Sequence, residues 1–180
     1  MKAENIRLYS RKKLRSLWHQ LRAGSAAGFP SGKAFEFLLV RAFQIDGAEV
    51  EWPYDVPTIG PGATASHQID GVVHFAGLAL LLEAKHWNGN VDFAPIAKLA
   101  AHLRRRPANT MGIVFSAQGF TDPARESVLL SGSCQILLWE GDEIEWAMSQ
   151  SGRFTEGLLT KYRQAVKQAL PDFHIATGGS

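Results

Sequence analysis

The sequence predicts one α/β domain in which helices flank a central mixed β-sheet. Three observations carry this prediction. The chain of 180 residues is 46% apolar and 20% charged, which is typical of a single domain with a full hydrophobic core. Short apolar runs of strand length alternate with segments of helical periodicity. Their order is helix, helix, three strands, helix, strand, helix, two strands and a closing helix, which indicates a sheet covered by helices.

The charge is nearly balanced overall but unevenly distributed. The formal net charge is +2, yet residues 1–22 contain seven Lys and Arg against Glu4 alone. Cys134 is the only cysteine, so an internal disulfide is excluded and a reducing compartment is favoured. The longest apolar run, residues 77–82, is too short to span a bilayer, and the N-terminus lacks the apolar core of a secretory signal. We therefore expect a cytoplasmic protein.

Two helices are predicted at the start of the chain. Leu14, Leu17, Trp18 and Leu21 follow helical spacing, which indicates an amphipathic helix with a basic outer face. Small residues over 23–32 separate it from a second helix over 33–45. That helix is apolar at most positions, so it should be buried on nearly all sides. Glu36 lies within it as an acid among hydrophobic residues.

Three strands and a long loop follow. Residues 48–52 alternate like an edge strand. Residues 53–66 contain three prolines and two glycines and are long enough to suggest a functional loop. Residues 67–87 then predict a hairpin of two strands with its turn at Ala76 and Gly77.

The second half of the chain alternates helices and strands. A helix is predicted over 92–106, with Pro95 near its first turn, and residues 111–117 predict a buried strand. We expect Thr121 to cap a helix over 121–130 that has Pro123 just inside it. Residues 135–139 and 145–149 are predicted as two further strands, and 154–170 as the closing helix.

The predicted hairpin brings polar side chains together. With its turn at Ala76 and Gly77, Asp70 faces Glu83 and Gln68 faces Lys85. Side chains two residues apart share a face of a strand, so these four side chains form one polar patch. Two carboxylates opposite one another repel, and Mg²⁺, which favours hard oxygen ligands, would turn that repulsion into a binding site. The lysine beside them would hold a hydroxide or stabilise charge on a phosphate oxygen.

These residues resemble a known nuclease motif. Asp70, followed by Glu83-Ala84-Lys85 at the end of an apolar strand, resembles the PD-(D/E)xK motif, with Ile69 where the motif has proline. Glu36 matches an additional glutamate that many of these nucleases carry. The passage GFTDPARE, between two strands, is similar to the corresponding passage of Mrr-type restriction endonucleases. The resemblance covers roughly residues 32–146 and implies a restriction-endonuclease-like core.

The resemblance implies a Mg²⁺-dependent DNA endonuclease of the restriction or defence type, with Mn²⁺ as a substitute metal. Asp70, Glu83 and the carbonyl of Ala84 would hold the metal, which lowers the pKa of a bound water. The lysine of the motif would position that water. Glu36 would contact the metal through water or orient Lys85. Gln68 would support the nucleophile. The implied catalytic residues are Glu36, Gln68, Asp70, Glu83 and Lys85.

Nucleic acid contacts are expected from the basic first helix, from the aromatic residue after the motif and from the arginines that end the helix over 92–106. Those arginines would equally suit the helix dipole, and the aromatic residue would equally pack. A homodimer fits double-stranded DNA as the partner, because cutting both strands generally takes two active sites. The predicted nucleic-acid-binding residues are Lys12, Lys13, Arg15, Trp87 and Arg105.

This interpretation divides the chain into a basic N-terminal helix (1–24), a nuclease-like domain (25–172) and a tail (173–180). Other functions stay open: an RNA nuclease or junction resolvase on the same fold, or an inactive module that only binds nucleic acid or protein. Structural explanations also stay open for single residues. Glu36 would pair with Lys33 or Arg41, Asp70 would be a turn residue, and Glu83 with Lys85 would form an exposed ionic patch.

Overall fold

A computed structural model describes residues 3–26, 30–52, 54–56, 67–130, 135–149 and 153–178. The strands are β1 (Glu49–Glu51), β2 (Tyr54–Val56), β3 (His67–Ile69), β4 (Gly71–Phe75), β5 (Leu78–Lys85), β6 (Thr110–Ser116) and β7 (Ile136–Trp139). A 3₁₀-helix (Ala3–Leu8) precedes the α-helices, which are α1 (Arg11–Arg22), α2 (Ser31–Ile45), α3 (Phe93–Leu103), α4 (Asp122–Leu130), α5 (Gly141–Ser149) and α6 (Arg153–Gln168). Cys134 and most of the predicted loop over 53–66 lie outside the described residues.

The central sheet has five strands in the order β1-β4-β5-β6-β7. Its first three strands are antiparallel, whereas β5, β6 and β7 are parallel. The predicted mixed sheet is therefore confirmed, with 48–52 containing its edge strand. The parallel strands all end at one edge of the sheet, where Lys85 is the partner of Ser116. This edge carries the candidate site.

A separate core fills each face of the sheet. On one face, α1, α2, α5 and α6 cover a core rich in aromatic side chains, including Trp18, Phe35, Phe43 and Trp139. On the other face, α3 and α4 cover a smaller, mainly aliphatic core. Residues alternate between the two cores along β5, because successive side chains of a strand point to opposite faces.

The first helix packs in the aromatic core, as its apolar stripe predicts. Leu14, Leu17, Trp18 and Leu21 are all buried, and α1 contacts α2 and α5. The segment predicted as a tail also contacts the body of the domain, since the main chain of Phe173 and Ile175 hydrogen-bonds to side chains of α6 and α5. Among the described residues, no helix is both long and apolar enough to cross a membrane.

The strand predicted over 145–149 is wrong, because these residues belong to α5. Ile144, Ala147 and Met148 are buried at helical rather than alternating spacing. The helix begins with a capping interaction in which the main-chain N–H of Glu140 donates to the carboxylate of Glu143 at 2.9 Å. An acid three residues after the helix N-cap was the sequence signal for this start.

The predicted hairpin register is confirmed along β4 and β5 and fails beyond them. Val73 is the partner of Leu80 and Gly71 that of Leu82. The chain then bends at Asp70, and Gln68 in β3 pairs with Asp55 of β2 in a separate two-stranded sheet. The prediction that Gln68 faces Lys85 is therefore wrong, because the bend takes the first arm of the hairpin away from β5.

Candidate active site

Asp70 lies at the bend between β3 and β4, beside the end of β5. One of its carboxylate oxygens, Oδ2, accepts a hydrogen bond from the main-chain N–H of Ala84 at 2.8 Å. The side chain is thereby tied to the middle residue of the Glu83-Ala84-Lys85 segment, although Asp70 itself is outside the strand ladder. Asp70 is thus more than a turn residue, since its carboxylate points into the candidate site.

The surroundings of Asp70 are unfavourable for a negative charge. Burial raises the pKa of its carboxyl to about 6, and the negative charges of Glu83 and Glu36 act in the same direction. The hydrogen bond from Ala84 and the positive charge of Lys85 act in the opposite direction. Three carboxylates therefore share one partly desolvated region, and a bound cation would relieve their repulsion.

Glu83 and Lys85 are neighbours on the face of β5 that is covered by α3. The ammonium of Lys85 donates to Oε1 of Glu83 at 2.5 Å and also contacts the carbonyl oxygen of Ala84 at 3.5 Å. The side chain of Glu83 is only 3% exposed and that of Lys85 is 22% exposed. They are therefore not an exposed ionic patch. The desolvation cost of such a pair is offset only where its geometry is good and further hydrogen bonds satisfy its atoms.

Glu36 reaches the same region from α2. Its carboxylate accepts a hydrogen bond from Lys33 at 2.6 Å, so the pairing with Lys33 that the sequence left open is present. Arg41 instead donates to the main chain of Tyr9 and to the side chain of Gln44. Pairing does not remove Glu36 from the site, because its charge still raises the pKa of Asp70.

Lys98 is a site residue that sequence reasoning missed. Its ammonium lies 3.7 Å from Oε1 of Glu83, the same oxygen to which Lys85 donates. A signal was present, because Lys98 is the only Lys, Arg, Asp or Glu in α3. The sequence does not show that α3 packs back over β5, so nothing linked this lysine to the motif.

The oxygen atoms of the predicted metal ligands are of the chemical type that magnesium binds. Asp70 and Glu83 contribute carboxylates and Ala84 a carbonyl oxygen, all of them hard ligands at one end of β5. Within the described part of the chain, no group of three or more His, Cys, Asp or Glu side chains is arranged around a point. Two carboxylates and a carbonyl nevertheless suit Mg²⁺, which usually keeps several waters.

The basic residues of α1 lie at different distances from this edge of the sheet. The C-terminal end of α1 is next to the end of β5, since the carbonyl oxygen of Leu21 lies 3.2 Å from Nε2 of His86. At 1.5 Å per residue, Lys12 and Lys13 are about 13 Å farther along the helix, and Arg15 about 9 Å. The predicted DNA contacts of α1 are therefore separate from the catalytic residues.

Arg105 and Trp87 also differ in position. Arg105 follows the end of α3 and lies near the start of β6. Lys85 lies beside the other end of β6, about 20 Å away along that strand. Trp87 is 42% exposed and lines a groove of about 670 Å³ beside the C-terminal end of α1. The ring of His86 lies 5.7 Å from that of Phe35, on the aromatic side of the sheet.

Comparison with known proteins identifies the family of this chain. A family model described as a restriction endonuclease, the Mrr catalytic domain, matches residues 30–148, which contain Glu36 and the segment from Asp70 to Lys85. Among solved structures, the chain is similar to the MspJI restriction endonuclease in complex with a 27-mer oligonucleotide, with 16% sequence identity and a TM-score of 0.49. That match covers 89% of this chain and 37% of the other, so this chain spans well under half the length of that protein. The comparison with curated proteins found no match. On the family match, the chain belongs to the restriction endonucleases of the Mrr catalytic-domain type.

Proposed function

We propose that this protein is a metal-dependent endonuclease that hydrolyses phosphodiester bonds in DNA. The observation that carries the proposal is the meeting of Asp70, Glu83 and Lys85 at one end of β5, in a chain of the restriction endonuclease family. Magnesium is the expected metal, with manganese as a substitute. The family membership supports a restriction or defence role. Double-stranded DNA as the substrate, a cytoplasmic location and a homodimer are further parts of the proposal.

The metal would be held by Asp70, Glu83 and the carbonyl oxygen of Ala84. A bound Mg²⁺ supplies a water of lowered pKa and neutralises charge that develops on the phosphate. The polypeptide contributes the placement of these oxygens. The hydrogen bond from the N–H of Ala84 holds the carboxylate of Asp70 beside β5, and burial of Glu83 keeps its carboxylate on the same face.

Lys85 is the proposed electrostatic group at the phosphate. Its ammonium carries three donors and no acceptor, so while protonated it donates to an oxygen and does not take up a proton. The ammonium donates to Glu83, which keeps it at the same end of β5 as the proposed metal ligands, and 22% of the side chain stays accessible to a substrate. An ammonium held in this way would orient the attacking water and stabilise the charge that develops on a phosphate oxygen.

Glu36 keeps a supporting role in the proposal, whereas the bend at Asp70 takes Gln68 away from the face of Lys85. Glu36 is hydrogen-bonded to Lys33, so a contact with the metal through water suits it better than orientation of Lys85. Gln68 is exposed on β3, two residues before Asp70. Its predicted support of the nucleophile would require the substrate to contact β3.

The test is cleavage of plasmid DNA by the purified full chain. We expect nicking or linearisation with Mg²⁺ or Mn²⁺, no cleavage with EDTA, and loss of cleavage in Asp70→Asn and Lys85→Gln. Glu126→Gln and Lys167→Gln make the same charge changes at exposed positions of α4 and α6 and should cleave like the wild type. Cleavage that is equal in all four variants would contradict the assigned site.

The same protein preparation separates the alternative functions. Methylated and unmethylated plasmids test a restriction role, and a structured RNA and a four-way DNA junction test the other nuclease activities. Binding to these substrates without cleavage, together with no uptake of Mg²⁺ in calorimetry, would favour an inactive binding module instead.

A further inference from the structure

Lys98 lies beside Glu83, although Glu83 already has Lys85 as a hydrogen-bond partner. Its ammonium lies 3.7 Å from Oε1 of Glu83, which is beyond hydrogen-bonding distance, whereas Lys85 already donates to that oxygen at 2.5 Å. The side chain of Lys98 is 50% exposed. An ion pair of this kind contributes little stability, because holding a long, half-exposed side chain in one conformation costs entropy.

The charges of the region would change if a metal took Glu83 as a ligand. Three carboxylates face three ammonium groups: Lys33 contacts Glu36, and Lys85 and Lys98 both contact Glu83. A divalent cation bound to Glu83 would repel both of its ammonium partners. The side chain of Lys85 is only 22% exposed, whereas that of Lys98 is 50% exposed at the rim of the site and has room to turn outwards.

We propose that Lys98 binds a phosphate of the nucleic acid backbone beside the cleavage site, and that a divalent cation bound to Glu83 makes Lys98 more available for this contact. This inference rests on the proposed nuclease function and deepens it. Lys98 would thus couple metal binding to DNA binding, because metal binding at Glu83 releases the ammonium of Lys98 and the DNA phosphate then binds that ammonium.

The surface around Lys98 favours a close approach of the DNA backbone. Ala94 and Ala101, four residues before and three residues after it in α3, are both exposed, so they lie on the same side of the helix. Their small side chains leave the ammonium projecting above a low surface. The ammonium of Lys33, by comparison, lies 2.6 Å from the carboxylate of Glu36. This closer contact makes Lys33 a weaker candidate for a phosphate contact.

The test measures binding of a labelled 20-base-pair DNA duplex to the full chain at a series of NaCl concentrations. One series contains Ca²⁺, a hard cation that binds the same type of oxygen ligand, under conditions where the duplex stays intact. A second series contains EDTA. Each lost phosphate contact lowers the slope of log K against log salt by about 0.9. The variants are Lys98→Gln, Lys98→Arg and, as a matched control, Lys167→Gln on the exposed side of α6.

We expect Lys98→Gln to lower the slope by about 0.9 with Ca²⁺ and to lower it by less with EDTA. Lys98→Arg should restore the slope, and Lys167→Gln should match the wild type. Calorimetry should show Ca²⁺ binding at least as tightly to Lys98→Gln as to the wild type, because a repelling charge has been removed.

Three results would overturn the proposal. A wild-type slope for Lys98→Gln with Ca²⁺, in a protein that still cleaves DNA, removes Lys98 and leaves the nuclease function intact. A slope lowered equally with and without Ca²⁺ shows a phosphate contact that no metal controls. A wild-type protein that neither binds nor cleaves DNA with any divalent cation overturns both this proposal and the nuclease function.

Discussion

Two lysine–glutamate pairs of nearly equal length lie in different surroundings. Lys161 and Glu143 are 2.6 Å apart on the aromatic side of the sheet, where their side chains are 0% and 1% exposed. Lys85 and Glu83 are 2.5 Å apart at the edge of the sheet, with 22% and 3% exposed. The distances alone do not distinguish them.

The partners of each pair do distinguish them. The ammonium of Lys161 also donates to the carbonyl oxygen of Phe173, and the carboxylate of Glu143 accepts from the main chain of Glu140 and Ile175. These hydrogen bonds connect α5, α6 and the C-terminal segment. A buried ion pair satisfied by main-chain groups holds elements together and has no surface for a ligand.

At the edge of the sheet, by contrast, further charged side chains surround the pair. Asp70 and Lys98 both lie close to Glu83, so charge accumulates where water and a substrate can enter. A buried carboxyl whose pKa is raised by burial and by neighbouring carboxylates, as that of Asp70 is, is typical of a functional site. The comparison thus separates a structural ion pair from the pair at the proposed active site by their additional contacts.

The largest effect on stability is expected from breaking the structural pair. Lys161→Met leaves the carboxylate of Glu143 buried without its cation and should lower the free energy of unfolding by about 3–5 kcal/mol. Lys85→Met should cost clearly less, because its side chain is partly exposed and Glu83 keeps Lys98 nearby. Urea unfolding of the two variants measures the difference.

Lys167→Met, at an exposed position of α6, controls for the loss of a lysine and should stay within about 0.5 kcal/mol of the wild type. Equal losses of unfolding free energy in Lys161→Met and Lys85→Met would show that the two pairs stabilise the fold equally. The distinction between a structural pair and a pair at the proposed active site would then be wrong.

The next effect has the opposite sign and depends on pH. The pKa of Asp70 is raised to about 6 in the folded protein, against about 3.9 in an unfolded chain. The folded state therefore binds the proton more tightly, and stability falls as pH rises from about 4 to about 6. Above that range the cost of the charged carboxylate is complete, at about 3 kcal/mol as an upper value.

Asp70→Asn removes that cost while its amide oxygen still accepts the hydrogen bond from Ala84. We expect the variant to be more stable than the wild type at pH 8 and about equal to it at pH 4, in urea unfolding at both values. An exposed control, Asp122→Asn in α4, should not show this pH dependence. A variant less stable than the wild type at pH 8 would contradict the inference that the charged carboxylate of Asp70 destabilises the folded protein.

Metal binding should follow the same titration. Protons compete with the metal for Asp70, so Mg²⁺ affinity at pH 5 should be about tenfold lower than at pH 7–8. Calorimetry of the wild type across this range measures the change. An affinity that is constant from pH 5 to pH 8 would exclude Asp70, with its raised pKa, as a ligand.

The smallest effect compares the rigidity of the two cores. A Cβ on Gly157 would lie 2.7 Å from the ring of Trp139, and one on Gly112 would lie 2.8 Å from the end of Leu99. The tryptophan ring is fully buried and stacked on Phe154, whereas the end of a leucine side chain can rotate. We expect Gly157→Ala to cost about 1–3 kcal/mol and Gly112→Ala less, in thermal unfolding. The reverse order would show that the aliphatic core is the more rigid one.

The elements predicted correctly have a strong local pattern. The stripe of Leu14, Leu17 and Leu21 identifies α1 from spacing alone, and the apolar run of β6 identifies a buried strand. The strand predicted over 145–149 failed because a short apolar segment suits either structure, and the capping signal at Glu143 decided it. Gln68 was misplaced because a bend at a single residue, Asp70, changes the strand partner of everything before it.

The sequence by itself determined the helical faces, the buried strands and the order of the motif residues, because each depends on neighbours within a few positions. Only the tertiary structure decided that α3 brings Lys98 to Glu83, that Arg105 lies at the far edge of the sheet, and that Asp70 is desolvated beside two other acids. These properties depend on which elements pack together. Packing is set by the whole core, so no local pattern of residues records it.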